Sequence, residues 1–159
     1  MKKIISILLV VAVMFSLGVT AFAKGSPVVE PTKKTTAVGG MGIFDSNDKQ
    51  IAVVPQRKIV FHTVNNAGRL PAEDKDAFLA AYEEAKNEQD RTVRNFFWLD
   101  IPDEYKNMDG FAYAKYFFNS RGENVQLTVN GNPMEVVNIS GSRYFAKLTE
   151  FGAVSITSD

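Results

Sequence analysis

From residue 111 onward, apolar and polar residues alternate and turn residues recur every few positions. Val125, Leu127 and Val129 alternate with Gln126 and Thr128, the pattern of a strand with one buried face. Asn130-Gly131 follows, and this dipeptide favours the tight hairpin turn whose two central residues take positive φ. Residues 113–118, 134–139, 144–148 and 153–157 read as further strands. Ser120-Arg121-Gly122-Glu123 and Ser140-Gly141-Ser142 supply turns between them. The expectation for this half is a meander of about five strands.

The preceding half mixes both periodicities. Gly42-Ile43-Phe44 and Gln50-Ile51-Ala52-Val53-Val54 flank the polar run Asp45-Ser46-Asn47-Asp48-Lys49, which reads as a hairpin. Residues 58–64 read as a third strand, set off by Pro55. After a loop at Asn65-Asn66-Ala67-Gly68, Pro71 opens a helix, with Glu73, Asp74 and Asp76 complementing its dipole. Phe78, Tyr82, Ala85, Gln89, Val93 and Phe96 recur at steps of three and four, one face of a long helix. The helix is expected to run from about 72 to 88, with a break or a second helical stretch reaching 97. Ile101-Pro102 stops it, and residues 103–110 read as a polar loop. The fold class expected is α+β: mostly antiparallel β, sandwich-like, with one main helix near 72–88.

The N-terminus has a different character. Lys2 and Lys3 precede an uncharged run over residues 4–23 that ends in Ala21-Phe22-Ala23. A basic start, an apolar middle and small residues at −3 and −1 make a secretory signal peptide, cleaved after Ala23. The run is also just long enough to span a bilayer, but Gly18 and Thr20 interrupt it and the A-x-A triplet favours cleavage. Residues 24–40, rich in Pro, Thr, Lys and Gly, read as a flexible lead-in, and 41–159 as a single β-rich domain. Cleavage leaves 136 of the 159 residues, enough for one hydrophobic core. No second apolar span, lipid-acceptor Cys or sorting motif follows, so the expected product is secreted, with no membrane span. In a cell with an outer membrane the destination would be the periplasm.

Composition removes several function classes. There is no Cys, so thiol catalysis, Cys-based zinc sites and disulfides are excluded, and packing alone must hold the exported chain. One His cannot supply a multi-imidazole metal site. Without Lys2 and Lys3 the chain carries 16 basic and 18 acidic residues, which gives no basic surface for nucleic acid. No cofactor or metal is expected. His62, in a strand between Phe61 and Thr63, reads as a strand residue, with no Ser or carboxylate assigned to it. Asp45, Asn47 and Lys49 imitate a calcium loop. Lys49 and Gln50 spoil its fifth and sixth positions and Gln56 its twelfth, so a polar turn is expected.

Two groups of residues remain as candidates. Trp98, Tyr113, Tyr116 and Tyr144, with Tyr105, combine a stacking face with a polar handle, as ligand-binding surfaces require. Asp100, Asp103 and Glu104 lie near Trp98, and paired carboxylates beside an aromatic are the equipment of a glycosidase.

The lead-in Ala23-Lys24-Gly25-Ser26-Pro27 and the terminal Phe151-Gly152-Ala153-Val154-Ser155-Ile156 resemble small exported proteins of Gram-positive anaerobic bacteria. Those carry a Sec signal and a compact β-rich module. The resemblance implies an extracellular location and a non-catalytic surface role, and it brings no site residues. The function expected is therefore an exported, non-enzymatic module binding a cell-wall or extracellular glycan, or a surface protein. The alternatives are an exported hydrolase using the loop carboxylates, and an inhibitor or structural component docking through an edge strand.

Overall fold

The computed structural model describes residues 40–88 and 90–159. The expected signal segment, its cleavage point, the lead-in short of Gly40, and Gln89 lie outside the described residues.

Strands β1 (Gly40–Phe44) and β2 (Gln50–Pro55) form the expected hairpin. Its turn is the polar one: Asp45 Oδ1 accepts from the backbone N–H groups of Asn47 and Lys49 at 2.9 and 3.0 Å. A 3-10 turn at Gln56–Lys58 leads to β3 (Val60–Thr63), and another at Val64–Arg69 leads to helix α1 (Ala72–Asn87). Next come β4 (Thr92–Asp100), the short α2 (Asp103–Lys106), β5 (Tyr113–Asn119) and β6 (Gln126–Val129). β7 (Asn132–Pro133), β8 (Glu135–Ser140), β9 (Arg143–Leu148) and β10 (Gly152–Ser158) complete the described chain.

The strands form two five-stranded antiparallel sheets, in the orders β2-β1-β5-β9-β8 and β3-β4-β10-β6-β7. Their inner faces meet over one core. Met41, Ile43, Ala114, Phe118, Ala146 and Leu148 come from the first sheet, and Phe97, Leu99, Leu127, Val129, Val154 and Ile156 from the second. This is the sandwich that the alternation predicts.

Helix α1 covers the outer face of the second sheet. Phe78 is fully buried there against Phe96 and Ala153, with Tyr82, Ala85, Val93 and Trp98 around them. The second sheet is thus covered on both faces, and β10 is buried along its whole length. Its helix-facing positions are small, Ala153 and Ser155, as close helix approach requires.

The expected loop over 103–110 begins with the helical turn α2, and two larger expectations need correction. Residues 92–100 form a strand, not the end of a helix. A bulge explains the misleading spacing. Ile156 pairs with Asn95 and Thr157 with Val93, so Arg94 is the extra residue in the ladder. The extra residue turns Val93 and Phe96 onto the same face, and that spacing of three imitates a helix. Both still pack beside α1, from the sheet. The later strands all form, but not as a meander. The chain alternates between sheets, with β5, β8 and β9 in the first and β6, β7 and β10 in the second. The β6–β7 turn is the expected one, with φ of 51° at Asn130 and 82° at Gly131.

Candidate functional site

The strand registers place a row of polar residues across the outer face of the first sheet. Gly42 of β1 opposes Lys115 of β5, Lys115 opposes Lys147 of β9, and Lys147 opposes Glu135 of β8. Two lysines directly opposite each other repel. Each ammonium takes its own set of partners. Lys115 Nζ turns between two aromatic rings, 4.4 Å from the Phe44 centroid and 4.6 Å from that of Phe145. Burial, opposed by Asp48 and reinforced by Lys147, pushes its ammonium below the ordinary lysine range. Gly42 leaves room for this arrangement, since a Cβ there would sit 2.8 Å from the Phe44 ring.

Lys147 turns the other way, toward two carboxylates. Its Nζ lies 3.6 Å from Asp48 and 3.4 Å from Glu135. It also sits 5.0 Å from the centroid of Tyr113. Tyr113 stacks on Phe44 at 5.2 Å and donates its hydroxyl to Asp48 at 2.7 Å. Asp48 reaches that hydroxyl from the β1–β2 turn, where it holds φ 60°, a left-handed conformation that Asp tolerates better than most residues. The Tyr113 hydrogen bond, aided by Lys147, holds Asp48 below the usual carboxylate range. Burial and the same bond push the Tyr113 hydroxyl far above the ordinary tyrosine range.

These groups line a cavity of about 330 Å³ with Ser46, Pro133, Met134 and Thr149. That volume falls at the small end of ligand pockets, suited to one ring-sized group. Asp48 and Glu135 share a single ammonium. Asp48 is held ionised, so it serves as a hydrogen-bond acceptor and not as a proton donor near neutral pH. Among the described residues no cluster of three or more His, Asp or Glu side chains could hold a metal ion.

The four aromatic candidates are not brought together. Tyr113 alone lies at the cavity. Tyr116 and Tyr144 face the sandwich interior, where the rings of Phe97, Tyr116, Phe118 and Tyr144 follow one another at 5.6–5.9 Å. Trp98 packs against α1, its ring edge-on to Phe78 at 5.9 Å. Tyr105 lies on α2, under Lys58.

The loop carboxylates are tied into ion pairs. Lys106 Nζ bridges Asp100 at 3.0 Å and Asp103 at 2.9 Å, while Glu104 holds Lys58 at 2.7 Å. Among the described residues no hydroxyl or carboxylate hydrogen-bonds to His62, which pairs in register with Trp98. β3 is an outer strand of its sheet and exposes Val60 and Phe61.

Asp48, Glu135 and Lys147 carry the site, and the sequence reading did not select them. One signal for them exists. Ala114-Lys115-Tyr116 and Ala146-Lys147-Leu148 each set a lysine between apolar residues mid-strand, a place where a charge needs a partner.

No protein-family model, curated protein or solved structure matches this chain. Among the described residues no helix is long and apolar enough to cross a membrane.

Proposed function

We propose that the chain is an exported, non-enzymatic binding module that takes a glycan or a surface protein at the Asp48–Glu135–Lys147 cavity. The observation that carries the reading is the shared ammonium. Lys147 Nζ stands between two carboxylates at the cavity wall, and Tyr113 fixes one of them. Such a set presents fixed donors and acceptors to a ligand. Asp48 is held ionised there, so it serves as an acceptor and not as the general acid of glycoside hydrolysis.

Export rests on the basic, apolar and A-x-A segments of residues 1–23. The resemblance to small exported proteins of Gram-positive anaerobes supports the same location. Zero Cys is compatible with it, because two shared cores replace disulfide staples.

The test is expression of the full-length sequence in a Gram-positive host. The expected result is a protein in the medium whose intact mass starts at Lys24 and which co-sediments with isolated cell walls or with cells. Retention in the cytoplasm would refute export. Release into the medium with no co-sedimentation would refute the surface-binding role.

A further inference from the structure

Resting on the reading of the cavity as a binding site, we infer that its ligand is an uncharged, hydroxyl-rich group: a neutral saccharide residue held by hydrogen bonds and not by ring stacking. Three features of the cavity support this.

The first is that the charges at the cavity wall already have partners. The carboxylates of Asp48 and Glu135 face the ammonium of Lys147, and Lys115 stands directly cross-strand from Lys147. An incoming anion meets two carboxylates. An incoming cation competes with Lys147 for the same two carboxylates. A neutral group enters without competing for either ion pair.

The second is the alternation of hydrogen-bonding types. Ser46 and Thr149 add hydroxyls to the ammonium donor and the two carboxylate acceptors, and that of Thr149, which donates to Met134 Sδ at 3.5 Å, keeps its lone pairs as acceptors. A sugar hydroxyl both donates and accepts. A pair of neighbouring hydroxyls can therefore bridge Lys147 and either carboxylate at once. Met134 and Pro133 give the same cavity an apolar strip for the C–H face of a ring.

The third is the state of the Tyr113 ring. Phe44 stacks on it with the two planes 3° apart, and the Lys147 ammonium also sits against it. The aromatic that sequence reading offers for stacking is therefore already engaged, and the hydrogen-bonding groups are left for recognition.

The test uses protein expressed from the full-length sequence and labelled at its Met methyl groups. Titrations compare neutral probes (chitotetraose, cellotetraose, maltotetraose) with anionic tetragalacturonate and cationic tetralysine. The expected result is a saturable shift of the Met134 methyl signal with a neutral probe. Lys147→Met and Glu135→Gln should each weaken that binding by at least about tenfold, the loss of one charge-assisted hydrogen bond. Circular dichroism checks that each variant is folded, and the Glu135→Gln variant decides the matter if Lys147→Met is not. A cavity that responds to tetralysine or tetragalacturonate while the neutral probes are silent overturns the inference and leaves the binding-module reading standing. Silence from every probe also overturns it. The cell-wall co-sedimentation then decides separately whether the chain is a binding module.

Discussion

At the residue scale, a few side chains hold positions that their neighbours dictate. Tyr113 sets the ionisation of Asp48 through its 2.7 Å hydrogen bond. Tyr113→Phe should raise the Asp48 pKa toward its ordinary value, read by NMR titration of the carboxyl carbon. It should also cost about 1 kcal/mol at neutral pH. The pH dependence has a definite sign. Asp48 is depressed in the fold, so its contribution is full above about pH 4 and is lost as pH falls through the depressed value. The gap in stability between native protein and variant should therefore narrow in acid. Gly152 is the other sensitive point. It holds φ 140°, and a Cβ there would sit 2.2 Å from Asn130 Oδ1. Asn130 Oδ1 accepts from the Ala153 N–H at 2.9 Å, joining the β6–β7 turn to the start of β10. Gly152→Ala should cost about 1–3 kcal/mol in urea unfolding.

At the element scale, helix α1 depends on one ring. Phe78 is fully buried and contacts Phe96 at 5.3 Å and Trp98 at 5.9 Å. Phe78→Ala should destabilise by about 3–5 kcal/mol and shift Trp98 emission to the red as the helix loosens from the sheet. The elements were largely legible in the sequence. The β1–β2 hairpin, α1, the Asn130-Gly131 turn and the later strands follow from local pattern and turn chemistry. Residues 92–100 did not, because a bulge at Arg94 gave a strand the spacing of a helix. Sheet membership was also out of reach, since hairpin-length joins do not say whether the chain pairs in place or crosses to the opposite sheet. The candidate site was legible only at Tyr113. Its other groups meet through the registers of β1, β5, β9 and β8, and registers are long-range facts.

At the scale of the whole molecule, the second sheet is the spine: α1 covers one face, and the first sheet covers the other. The first sheet keeps its outer face for the cavity. Two tyrosines, Tyr113 buried and Tyr116 partly buried, link stability to alkaline pH. Burial pushes Tyr116 up to about 12 and Tyr113 higher still. Both hold their protons in the fold beyond the pH at which an unfolded tyrosine ionises. Their contribution is thus full below about pH 10 and is lost as pH rises further. Thermal unfolding should shift steadily downward from pH 10 to pH 12, and by less in Tyr113→Phe than in the native protein. The central claim is that the molecule meets its ligand at the Asp48–Glu135–Lys147 cavity. Hydrogen–deuterium exchange with and without isolated cell walls tests it most directly. The account predicts protection confined to the β1–β2 turn and to the backbone around Glu135 and Lys147. Protection confined to Val60–Thr63 of the β3 edge, or none anywhere, would contradict it.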